Sequence, residues 1–78
     1  MDPSEQLKIA GEAAGLLEDR GFTAVARMSS GVVTLELWKH HAGEHRSLRH
    51  VVQGEVTAEG LAQRCAAMFE AATGGEAD

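Results

Sequence analysis

Seventy-eight residues with a formal net charge of −5 make one domain, residues 1–78, and leave no room for a second. A chain of this size buries only about 60% of its unfolded surface, so its core is marginal and a homodimer is one expected source of extra burial. Cys65 is the only cysteine, which excludes a disulfide framework and points to a reducing compartment, the cytoplasm.

The opening Met1-Asp2-Pro3-Ser4-Glu5 has neither the basic nor the apolar region of a signal peptide. The longest largely apolar stretch, Val32 to Trp38, is interrupted by Thr34 and Glu36 and is too short to span a bilayer. No membrane association is expected. Charge is spread unevenly: residues 1–21 and 54–78 are acidic, whereas 22–53 are net basic through Arg27, Lys39, Arg46 and Arg49 and hold every histidine. Such asymmetry bears on partners and not on fold.

In chain order, a helix is predicted from about Pro3 to Arg20. Asp2 suits the cap, Pro3 the first helical position, and Glu5 the third position of a capping box. Leu7, Ala10, Ala14 and Leu17 form its apolar stripe, with Ala13 beside it, and Gly21 follows as the residue that ends it. Gly11 and Gly15 inside it each cost about 1 kcal/mol against alanine, which suggests a helix lying very close to a sheet. The period then changes. Phe22–Met28 reads as a strand, Ser29-Ser30-Gly31 as a turn, and Val32–Lys39 as a second strand. His40-His41-Ala42-Gly43 reads as the next turn, and Glu44–Gln53 as a third strand closed by Gly54.

A last helix runs from Ala58 to about Ala72, capped by Thr57 and ended by Gly74-Gly75, with frayed ends at residues 1–2 and 74–78. Leu61, Cys65, Met68 and Ala72 make its stripe, widened by Ala62 and Phe69. The predicted fold is α+β, order α-β-β-β-α: a three-stranded antiparallel sheet with both helices packed on one face. Alternation assigns Val33, Leu35, Leu37, Leu48 and Val52 to the covered face. It leaves Val25, Arg27, Thr34, Glu36, Trp38, Ser47, Arg49, Val51 and Gln53 on an open, mildly basic one.

This order and these lengths resemble the double-stranded-RNA-binding domain over nearly the whole chain. The Ala-rich run Ala58-Glu-Gly-Leu-Ala-Gln-Arg-Cys-Ala-Ala-Met-Phe-Glu-Ala71 is similar in texture to that family's second helix. Where the family carries a lysine cluster at the start of that helix, this chain has Thr57, Ala58 and Glu59. Where the family has a Gly-Pro-x-His loop, it has Ser29-Ser30-Gly31. The resemblance therefore implies topology and not binding of duplex RNA, which depends on neutralised phosphates. In size and charge the chain also resembles small phage-type inhibitors, anti-CRISPR proteins among them.

Chemistry-bearing residues are few. His40, His41 and His45 flank one predicted hairpin turn, but neighbouring strand residues point to opposite faces and converge poorly on a metal. They read as a solvated or partner-contacting tip, and no metal or cofactor is expected. Cys65 falls in an apolar stripe, where cysteine behaves as a small hydrophobe, and Ser29 and Ser30 sit in a turn without a nucleophile elbow. No catalytic residue is identified, and an enzyme is not expected. Trp38 beside Arg27 or Arg49 would form a cation–π patch of the residue types that anchor interfaces. The predicted partner-binding set is Trp38, Arg27, Arg49, Lys39, His40, His41, His45 and Arg46. The expected function is that of a small non-enzymatic, protein-binding domain, an inhibitor that occludes a nucleic-acid-processing or defence complex. The alternatives are a nucleic-acid-binding module of the same topology, disfavoured by net charge, and a dimerisation or adaptor domain.

Overall fold

The computed structural model describes the backbone of residues 2–41, 44–54 and 57–77, and the side chains of 2–39, 46–54 and 57–71. Five elements follow in the order α1 (Pro3–Asp19), β1 (Thr23–Ser29), β2 (Val32–His41), β3 (Glu44–Val51) and α2 (Ala58–Ala77). The fold is α+β, with a three-stranded antiparallel sheet in the order β1-β2-β3 and the helices packed against one side of it.

Local chemistry sets the ends of α1. The Asp2 carboxylate accepts a hydrogen bond from the Ser4 N–H at 3.2 Å, satisfying one of the free donors of the first turn. At the other end Gly21 adopts φ +93°, its N–H donates to the Glu18 carbonyl at 3.0 Å, and the Phe22 N–H donates to the Leu17 carbonyl at 3.1 Å. That pair of bonds is a Schellman motif, and it turns Phe22 inward against the layer that also buries Leu17. Phe22, predicted as a strand residue, thus closes the helix, and β1 begins one residue later.

Ser30 and Gly31, with φ of +52° and +78°, join β1 to β2 in two residues. Positive φ at both central positions is the hairpin turn whose twist matches the flanking strands. β2 extends past the predicted Lys39 end to His41, because His40 pairs with His45 and His41 with Glu44. Those two histidines therefore stand in strand backbone and not in the turn. The side chains of His40, His41 and His45 lie outside the described residues. α2 begins where Thr57 Oγ1 accepts from the Gly60 N–H at 3.0 Å. Its backbone stays helical through Gly74 and Gly75 to Ala77. Glycine stops a helix only where it turns left-handed; otherwise it merely costs helix propensity.

The core lies between sheet and helices: Ala10, Ala13, Ala14 and Leu17 from α1, Ala24, Val33, Leu35 and Leu37 from the sheet, and Leu61, Ala62, Cys65, Ala66 and Phe69 from α2. α1 sits across β1 and β2, while α2 packs mainly on α1 and, among the described residues, reaches the sheet at β3. Both helices put small residues into this core, Ala10, Ala13 and Ala14 from α1 and Ala62, Cys65 and Ala66 from α2. Phe22 and Phe69 meet edge-to-face at 5.1 Å and 82°. Gly11 and Gly15 are exposed, and a Cβ on either meets nothing within 4 Å. Neither glycine makes the close helix–sheet approach expected of it. Gln6 is the buried polar side chain that the apolar pattern did not anticipate.

Candidate functional site

Both helices lie on one side of the sheet, so no element among the described residues covers the other side of the three strands. Register arranges it in rows across the strands: Thr23–Trp38–Ser47, Val25–Glu36–Arg49, Arg27–Thr34–Val51 and, at the β1–β2 turn, Ser29–Val32. Alternation carries Leu35, Leu37 and Val33 inward and these residues outward.

Glu36 is the centre of this face. Arg27, reaching in from β1, places Nε 3.2 Å from Glu36 Oε1. Arg49, from β3, donates to Oε2 through both Nε at 3.2 Å and Nη2 at 2.9 Å. The arginine side chains are 67% and 70% exposed, the glutamate 21%. Two cations on opposite edge strands thus share one carboxylate on the central strand, and the cluster carries a residual charge of one positive unit. Glu36 was assigned to this face from alternation but not to the partner-binding set. A strand pattern says which face a residue occupies but not which residues stand beside it across the ladder.

Around the cluster the surface is apolar at both ends. Trp38 is half-buried between Thr23 and Ser47, and at the other end Val32 and Val51 are 49% and 43% exposed. The expected cation–π patch takes another form. The arginines are engaged with Glu36, and the cation–π contact found among the described residues is Lys39 Nζ over the Phe22 ring, 5.0 Å from its centroid.

Of the predicted partner-binding residues, the structure brings Trp38, Arg27 and Arg49 onto one surface. Lys39 and its cross-strand neighbour Arg46 lie on the opposite, helix-side face. The reason is the two-residue period of a strand: residues 38 and 39 cannot share a face. His50 pairs with Leu35 and also takes the helix-side face, half-buried. Among the described residues no three of His, Cys, Asp or Glu come together in a metal-holding group, and Cys65 is fully buried.

A cleft of about 240 Å³ at the β1–β2 turn is lined by Pro3, Gln6, Val32, Val33, Val51 and Val52, among others. No helix among the described residues is long and apolar enough to cross a membrane. Two helices on one side of an antiparallel sheet, with the other side open around an Arg–Glu–Arg cluster, define an α+β domain with an unpartnered sheet face. No protein family, curated protein or solved structure matches the chain.

Proposed function

We propose that this chain is a non-enzymatic binding domain that docks a protein through the open face of its sheet. The observation that carries the reading is the juxtaposition of Trp38, the Arg27–Glu36–Arg49 cluster and the exposed Val32 and Val51 on one surface. Aromatic and arginine side chains with partly exposed aliphatic neighbours are the composition of interface cores. Glu36 also holds both guanidiniums in place before a partner arrives, which lowers the side-chain entropy lost on docking.

The same cluster counts against a nucleic-acid module. Affinity for a polyanion scales with the phosphates neutralised, and here one carboxylate offsets half of the cationic charge on the face. Lys39 and Arg46, which would enlarge the footprint, are on the other side of the sheet. Within the binding reading, an inhibitor that occludes a nucleic-acid-processing or defence complex fits a small acidic chain; the support there is size and charge.

Affinity capture from a lysate of the source organism, with the unmodified chain and with Trp38→Ala and Arg49→Glu, tests the docking surface. A protein recovered by the first and lost with both variants, each checked for fold by circular dichroism, is the expected result. Equal recovery with all three would remove the sheet face from contention. A salt titration of binding to random single-stranded and duplex nucleic acid should show no steep slope.

A further inference from the structure

We propose that the open sheet face takes a short segment of a protein partner that is apolar but for one carboxylate, and that this carboxylate is received between Arg27 and Arg49. This rests on the docking reading above and names the chemistry of its occupant. A guanidinium carries five N–H donors and a carboxylate accepts about four hydrogen bonds, so Glu36 leaves roughly six donors of the two arginines for another acceptor. The guanidiniums converge on the two oxygens of one carboxylate, and both side chains are mostly exposed. Their remaining N–H groups are thereby held close together at the surface. A second carboxylate there brings the cluster from one positive unit to neutrality through charge-assisted hydrogen bonds.

The surroundings set the rest of the occupant. Rows on the face are about 6.8 Å apart, which is also the spacing of alternate side chains in an extended segment. A segment lying along β2 with its acid over the Glu36 row therefore sets the residues two before and two after it over the Trp38 and Val51 rows. Trp38 is half-buried and Val51 is 43% exposed, so apolar side chains at those two places remove apolar surface from water. Three strands about 4.8 Å apart and four such rows give roughly 400 Å² on each side, about half of what two folded domains bury per partner. A face of that size suits a short segment and a weak, reversible contact.

Charge separates this occupant from others. A second copy would set one positive cluster against another. A nucleic acid would bring many phosphates to a face with one residual positive unit, on a chain of net charge −5. A single carboxylate with apolar flanks matches the one unit available and adds no further anion to an acidic chain.

The test is an NMR titration of the whole, isotope-labelled chain with the capped peptide Gly-Leu-Thr-Asp-Thr-Leu-Gly, which reads the same in both directions, up to about 2 mM, a range that covers weak affinity. The same peptide with Asn or with Lys in place of Asp is run beside it. The resonances followed are the Trp38 indole N–H and the Nε–H groups of Arg27 and Arg49. The expected result is saturable shifts at all three with the Asp peptide, binding about tenfold or more weaker with the Asn peptide, and none with the Lys peptide. A chain carrying Arg27→Gln and Arg49→Gln together should bind the Asp and Asn peptides alike, and Lys39→Gln, on the other side of the sheet, should bind as the parent does. The peptide substitutions leave the domain untouched, and circular dichroism checks the fold of the variants. No binding of the Asp peptide, or equal binding of the Asn peptide, overturns the acidic occupant while leaving the docking surface to the capture experiment. Displacement of the Asp peptide by a short single-stranded oligonucleotide, with a steep salt slope, also overturns it, by giving the face to nucleic acid.

Discussion

Arg49 reaches from an edge strand to set Nη2 2.9 Å from Oε2 of Glu36 on the central strand, directly opposite it in register. With Arg27 on the other carboxylate oxygen, β1, β2 and β3 are tied together by side chains on a face that has no helix to hold it. Exposed pairs of this kind contribute roughly 0.2–1 kcal/mol each. Glu36→Gln is therefore expected to lower unfolding stability by about 1 kcal/mol, and Glu36→Lys by more, because it sets three cations side by side. Urea unfolding checks both. A Glu36→Gln domain as stable as the parent would show the cluster to be structurally idle.

Exposed glycines offer the opposite sign. A Cβ at Gly11 or Gly15 meets nothing within 4 Å, so alanine at either is expected to stabilise the domain by up to about 1 kcal/mol through helix propensity and a less disordered unfolded chain. Gly21, at φ +93°, cannot take the same change: Gly21→Ala forces a side chain into the left-handed region and is expected to cost about 1–2 kcal/mol. Thermal and urea unfolding of the three variants should order them on opposite sides of the parent.

Gly60 is a third case. A Cβ there would stand 2.9 Å from the Thr57 Oγ1 that caps α2. Gly60→Ala gains about 1 kcal/mol of helix propensity and, if Thr57 turns aside, loses a cap worth about the same. The expected change is near zero, and in the Thr57→Ala background the same substitution should become clearly stabilising. A double-mutant cycle by urea unfolding reads that coupling.

Leu35 and Leu37 are fully buried under α1 on the central strand. Leu35→Ala and Leu37→Ala are each expected to cost about 2–5 kcal/mol, a large share of the stability of a domain this small. Loss of the cooperative transition at room temperature is the outcome anticipated for either, and circular dichroism would show it. A loss under about 1 kcal/mol would place these side chains at the surface.

The Lys39–Phe22–Phe69 stack joins the far end of β2 to the end of α1 and to α2. Lys39→Ala is expected to lower stability by about 0.5–1 kcal/mol and to leave recovery of any sheet-face partner unchanged. Arg27→Ala should also lower stability modestly, by roughly 0.2–1 kcal/mol for its exposed ion pair, but should reduce recovery. Capture and unfolding measured on the same two variants separate the faces.

Element order was legible in the sequence because its signals are local. Asp2 and Gly21 bracket α1, Ser30-Gly31 can form only a tight turn, Thr57 caps α2, and alternation along Val32–Trp38 divides inward from outward side chains. These depend on residues within a few positions of one another, and a linear pattern records them. What only the tertiary structure decided was adjacency across strands and between layers. It brought Arg27 and Arg49 from the two edge strands onto the carboxylate of Glu36, sent Lys39 to Phe22 rather than to the tryptophan beside it in sequence, and buried the polar Gln6. Register and packing are properties of pairs far apart in the chain, fixed by the shared burial of whole faces, and no local pattern specifies them.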